Sequence, residues 1–182
     1  METILNATVC VQTLYKDINN NLQEHWLDLN KYKNIESFYE KCKQIHNDEN
    51  DPTFVYPNWA YIPGNFISEI HIDKRIFELI EHASKLTGDD RKGFHSFLDG
   101  NEFEIDNNAS DIINMFNEQF IGYFESYDDF GRYLLKNMGY KIDEILDNYF
   151  NYGKFARKEL IKGSFYSIGN SFFSLPQNKK SF

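Results

Sequence analysis

The residues able to do metal or nucleophilic chemistry are five histidines, His25, His46, His71, His82 and His95, and two cysteines, Cys10 and Cys42. No histidine pair has the HExxH spacing, and no Cys/His set has zinc-ligand spacing. His46 with Asp48, Glu49 and Asp51 resembles an oxygen-rich calcium loop. The glycine at the sixth loop position and the distal glutamate are missing, so a solvated loop is the stronger reading. GxSxG, Walker A and GxGxxG patterns are all absent, which leaves nucleophile-elbow and phosphate-cradle chemistry unsupported. The paired acids Asp89-Asp90 and Asp128-Asp129 could shuttle protons. At expected helix starts, such pairs more often complement the helix dipole. The expectation is a protein that is not an enzyme and uses no cofactor or metal.

Carboxylates remain, and their distribution is uneven. From Gly93 to Gly131 there is no Lys or Arg, and the window holds Asp99, Glu102, Glu104, Asp106, Asp111, Glu118, Glu125, Asp128 and Asp129. A second window free of Lys and Arg, residues 44–73, holds Asp48, Glu49, Asp51, Glu69 and Asp73. The net charge is -9, so outside the first window acids and bases balance. Charge confined to a folded stretch builds a directional field that repels nucleic acid and attracts positive working surfaces. Direct nucleic-acid binding is therefore not expected, because phosphate neutralisation needs clustered Lys and Arg. Glu104, Asp111, Glu118 and Glu125 recur every seven residues. On one helix that step advances about 10.5 Å and returns to nearly the same face. DNA carries about one charge per 1.7 Å, so one such stripe is too sparse to copy it. An ordinary solvated face fits the same residues.

The elements that must carry these charges follow from periodicity. Thr8–Tyr15 and His25–Leu29 read as strands around an Asn19-Asn20-Asn21 turn, with Thr53–Tyr56 a third. Ile35, Phe38, Cys42 and Ile45 share a helix face that Asn34 can cap. Pro57 and Ile62-Pro63-Gly64-Asn65 read as breakers. Asp73 is expected to cap a helix with Ile76, Phe77, Ile80 and Ala83 on one face. Asp89-Asp90 opens another, carrying Phe94, Phe97 and Leu98. Ser110 is the expected cap of a third, running through Ile113, Phe116, Phe120 and Tyr123-Phe124. Ser126 with Asp129 forms a capping-box pattern for a fourth that ends at Gly139. Ile142–Phe150 predicts a helix with Ile145, Leu146 and Tyr149 on its apolar side, and Phe155-Ala156-Arg157 starts another. Ser164–Ile168 and Ser171–Phe173 flank Gly169-Asn170 as a hairpin. The tail from Pro176 reads as frayed.

The fold class is thus α+β. It comprises an N-terminal α+β domain over 1–65, a central four-helix domain over 66–140 and a mixed domain over 141–182. With 41% hydrophobic and 17% aromatic residues the chain can bury real cores. Aromatics without basic interleaving point to core packing rather than base stacking. Two distant cysteines outside any CxxC read best as reduced core thiols, with a single disulfide as the alternative. Met1-Glu2-Thr3 shows no signal-peptide pattern, and no apolar run approaches the ~20 residues of a membrane helix. A cytoplasmic protein with no membrane partner is expected.

Several stretches, in order, resemble the ArdA family of antirestriction proteins. They are His25-Trp26-Leu27-Asp28-Leu29, then Ser37–Cys42 with the acidic loop to Asp51-Pro52, then Ile62–Glu69 leading to Ile72-Asp73. Asn148-Tyr149-Phe150-Asn151-Tyr152-Gly153-Lys154-Phe155-Ala156-Arg157 is similar to the family's Tyr-Phe-Asp-Tyr-Glu-Ala-Tyr-Ala-Arg segment, and Gly163–Tyr166 fits its C-terminal end. The likeness covers residues 7 to 174. It implies an elongated three-domain protein, carried mainly by mobile elements, that dimerises through its C-terminal domain. It also implies a DNA mimic, whose carboxylates stand for backbone phosphates in the groove of type I restriction-modification enzymes. Both the methylase core and the full nuclease complex would be targets. The mimic carboxylates would be those of the two acidic windows, and the homodimer seam Asn148, Tyr149, Tyr152, Phe155 and Arg157. Asn151 and Gly153 stand where the family has acids, which fits a neutral seam. An acidic adaptor for another basic DNA-binding or nucleoid protein is the alternative.

Overall fold

The computed structural model of the chain describes residues 3–21 and 24–175. It is mixed α/β with small antiparallel sheets, as the α+β reading expects. It divides into two compact units, one up to Asn114 and one from Met115 on, where the sequence reading expects three sections.

In the first unit the buried strand β1 (Thr8–Thr13) lies between β2 (His25–Asp28) and β3 (Phe54–Ala60), antiparallel to both. Cys10 opposes both Trp26 and Asn58. β3 runs through Pro57, which was expected to break it. Its register against β1 shifts between Cys10 and Gln12, leaving Tyr56 and Pro57 opposite Val11 alone. A bulge is where a strand tolerates the missing proline N–H. β1 also stops early, because Thr13 caps a short helix, α1 (Leu14–Ile18), by accepting from the Lys16 N–H. Helix α2 (Ile35–Ile45) begins where expected, with Asn34 and Ser37 capping reciprocally. It buries Phe38 and Cys42 against the sheet. Both cysteines are free thiols, and burial pushes Cys42 up to about 12.

A two-strand ribbon, β4 (Ile67–Ser68) and β5 (His71–Ile72), leads into α3 (Arg75–Lys85). Asp73 supports that start: its Oδ1 accepts the Arg75 N–H at 2.9 Å, although the first helical turn opens at Lys74. The Phe77 ring sits 5.9 Å from Phe38, so α3 shares a core with α2. Helix α4 (Gly88–Gly100) buries Phe94, Phe97 and Leu98, with Phe94 edge-on to His82 at 5.0 Å. Helix α5 (Ala109–Gln119) is capped by Asn108, not Ser110. Asn108 Oδ1 accepts the Asp111 N–H while Asp111 returns a carboxylate to the Asn108 N–H, a reciprocal pair that Ser110 inside the first turn could not form.

The second unit corrects two expectations. Phe120–Tyr123 is a strand, β6, not the end of α5. It pairs with β8 (Ser171–Ser174), which pairs with β7 (Phe165–Ile168) through the expected turn, where Gly169 has φ +56°. Sheet hydrogen bonds from the distant hairpin overrule the local helical spacing. The expected helix over 142–150 is only α7 (Glu144–Asp147). Ile145, Leu146 and Tyr149 are 77%, 59% and 84% exposed rather than packed. Helices α6 (Tyr127–Asn137) and α8 (Tyr152–Ile161) cross closely, with Phe130, Leu134, Ala156 and Phe172 as core. Phe130 stacks on Phe172 at 4.0 Å. Of the four helices expected to bundle over 66–140, α3 and α4 thus lie in the first unit and α6 in the second. The tail from Pro176 lies outside the described residues.

Candidate partner-binding surface

Three anchors decide what the acidic residues of the first unit can present. The loop after α2 is braced by Lys16, a buried lysine on α1. Its Nζ lies 2.9 Å from Asp48, 3.7 Å from Glu49 and 3.3 Å from His46 Nδ1. Thr13 donates its hydroxyl to Glu49 at 2.5 Å. The Lys16 hydrogen bond holds the Asp48 carboxyl below its ordinary range. Lys16 therefore offsets about one of the two charges of Asp48 and Glu49, while Asp51, at φ +54°, stays exposed.

The second anchor is Asn65, whose side-chain amide donates to the Asn101 carbonyl, while Phe103 packs between Phe66 (5.8 Å) and Phe97 (5.7 Å). These contacts bring 65–73 of one acidic window against 101–107 of the other. The third is Arg75, which ties Asp73 to the carbonyls of Glu104 and Asn107. Glu69, Asp99, Glu102, Glu104 and Asp106 are all exposed, and no salt bridge reaches them among the described residues. Asp73 is spent on Arg75, and Asp111 closes the α5 cap.

In the second unit, Glu118 lies in the last turn of α5 and Glu125 falls after β6, both exposed. The seven-residue spacing therefore puts only Asp111 and Glu118 on one helix, because the strand intervenes before Glu125. Asp128 accepts the Gly153 N–H at 2.9 Å, and Asp129 accepts the Ser126 hydroxyl at 2.6 Å, so both complete helix starts.

The expected seam residues divide sharply. Asn148 and Tyr149 are exposed. Tyr152 is buried in its own unit, its hydroxyl on Asp147 and its ring 3.9 Å under the Arg132 guanidinium. The bond to Asp147 raises the Tyr152 phenol above its ordinary range. Phe155 packs on the unit's core, and exposed Arg157 lies 5.0 Å over Tyr127. Sequence reasoning missed Lys16, far from either acidic window along the chain, and Arg75, just past the end of one; the reach of each into the windows depends on tertiary folding.

The fold and these surfaces define a mixed α/β protein whose outward chemistry is carboxylate charge on a braced backbone. A family model described as antirestriction protein (ArdA) matches residues 9–174, and the chain belongs to that family. Membership implies an antirestriction function, within a family of inhibitors that act on restriction-modification systems. No curated protein matches the chain. Among the described residues no helix is long and apolar enough to cross a membrane.

Proposed function

We propose that this chain inhibits type I restriction-modification enzymes as a DNA mimic, occupying the groove of the methylase core and of the full nuclease complex. It acts in the cytoplasm as a homodimer, with carboxylates standing where phosphates would lie. The observation carrying this reading is the group Glu69, Asp99, Glu102, Glu104 and Asp106, exposed and unpaired among the described residues on a backbone laced by Asn65, Phe103 and Arg75. Phosphate contacts position a protein on DNA without carrying sequence information. A mimic of phosphates alone would therefore bind enzymes with different target sequences. Complementary charge also speeds encounter. Glu118 and Glu125 extend the set into the second unit's sequence, and the exposed Tyr149 face serves the dimer.

The test is competition between the purified protein and labelled duplex DNA for a type I methyltransferase core. Near-stoichiometric displacement that fades as salt rises is expected, because screening shortens to about 10 Å at 0.1 M. No displacement at low salt would overturn the reading. Recovery of a nucleoid protein without any restriction subunit would favour the adaptor alternative.

A further inference from the structure

We infer that Arg75 is a positioning residue for antirestriction: it holds the loop bearing Glu102, Glu104 and Asp106 in a presented shape without cancelling their charge. The inference rests on the carboxylate reading above and concerns how that loop is held.

The geometry separates the two jobs of a guanidinium. Its charge faces Asp73, with Nε 2.9 Å and Nη2 2.6 Å from the Asp73 carboxylate. Its remaining donor, Nη1, gives hydrogen bonds to two backbone carbonyls, Glu104 at 3.0 Å and Asn107 at 2.7 Å. The side chain is 14% exposed, with its guanidinium 5.6 Å over the Phe66 ring. Between the two gripped carbonyls the loop closes on itself: the Glu104 N–H donates to Asn107 Oδ1 at 3.1 Å, and the Asn107 N–H donates to the Glu104 carbonyl at 3.1 Å. The result is a tight turn with Ile105 at its fully exposed tip and acids on both sides.

A lysine or arginine that paired directly with Glu104 or Asp106 would also order the loop, but it would discharge the field. Arg75 avoids this because carbonyls, not carboxylates, accept its bonds, and Asp73 balances its charge. Only a planar fork with several fixed donors can do both, so lysine is not an equivalent. Like-charged side chains crowded on a free loop would spread apart, and binding would then have to reorder them.

The experiment compares wild type, Arg75→Lys, a Glu102→Gln/Glu104→Gln/Asp106→Asn triple variant, and both changes combined. Each is assayed for inhibition of a type I methyltransferase core, for thermal midpoint, and for amide exchange over 101–108. Arg75→Lys should weaken inhibition about five- to tenfold, the scale of reordering one or two side chains. Its loop amides should exchange faster while the melting temperature holds. In the triple background the lysine should add little, since the loop then has no charge to present. Asn107→Ala opens the same turn from the exposed side and should reproduce the effect if the Arg75 variant folds poorly. A triple variant that loses inhibition beside fully active Arg75→Lys and Asn107→Ala would overturn the positioning role and leave the carboxylate reading intact. A triple variant as potent as wild type would overturn the carboxylate reading for this loop, and the role of Arg75 with it.

Discussion

Replacing Gly131 by alanine should loosen the second unit, although alanine is the better helix former. Gly131 is buried in the middle of α6, where α8 begins against it. A Cβ there would stand 2.2 Å from the Tyr152 carbonyl oxygen and 2.8 Å from its carbonyl carbon. Real Cβ atoms do not approach closer than 3.0 Å, so the two backbones must part by at least 0.8 Å. The obstruction is main chain, which cannot rotate away. Parting the helices also pulls on the Gly153 N–H bond to Asp128 and on the Arg132–Tyr152 stack. Overpacking of this kind costs about 1–3 kcal/mol, and the rigid obstacle places this case near the top of that range. Helix propensity returns about 1 kcal/mol, leaving about 2 kcal/mol of net destabilisation. For a unit of this size that lowers the midpoint by roughly 8–16 °C. Both tryptophans, Trp26 and Trp59, lie in the first unit, so near-ultraviolet dichroism of Tyr and Phe with calorimetry is the suitable readout. Gly64→Ala, where a Cβ meets nothing within 4 Å, is the control and should leave the midpoint unchanged. A Gly131→Ala protein that melts at or above wild type would refute the close-approach argument.

Stability should fall in mild acid. His46 is lowered from its ordinary 6.5 by burial, then by Lys16 and His25, with Glu49 opposing. His82 is lowered by burial and Lys85, and His95 by burial against an opposing Asp99. The unfolded chain then takes up protons first, so their stabilisation is complete above pH 6.5 and is lost as pH falls through the depressed folded values. Urea midpoints at pH 7.5 and 5.5 check this, and an equal or higher midpoint at 5.5 would contradict it. At the proposed dimer face, Tyr149→Asp should lower the dimer fraction in sedimentation without moving the melting temperature. Tyr152→Phe, which removes the bond to Asp147, should lower the melting temperature and spare the dimer. Unchanged sedimentation of Tyr149→Asp would remove Tyr149 from the seam.

Local patterns were legible where a short segment satisfies its own needs. Asn34 with Ser37 and Ser126 with Asp129 cap their helices from a few residues away, and Gly169-Asn170 turns a hairpin between β-rich flanks. The same patterns misled where a distant partner competed. Phe120–Tyr123 has helical spacing, yet β8, some fifty residues later, supplies its backbone partners. Tyr149 and Tyr152 look alike in sequence, but one faces solvent and the other lies under Arg132. Family membership was legible because motif order survives without knowledge of contacts.

Composition and order along the chain were enough to establish the α+β class, the two windows without basic residues and the family, since these depend on residue type and short-range spacing. Tertiary structure decided which carboxylates remain free. An ion pair or a carbonyl clamp forms between residues that only folding brings within 3 Å, as Lys16 is to Asp48 and Arg75 to Asn107. Charge counted along the chain is blind to such contacts, because Coulomb energy depends on distance in space and on burial, not on position in sequence.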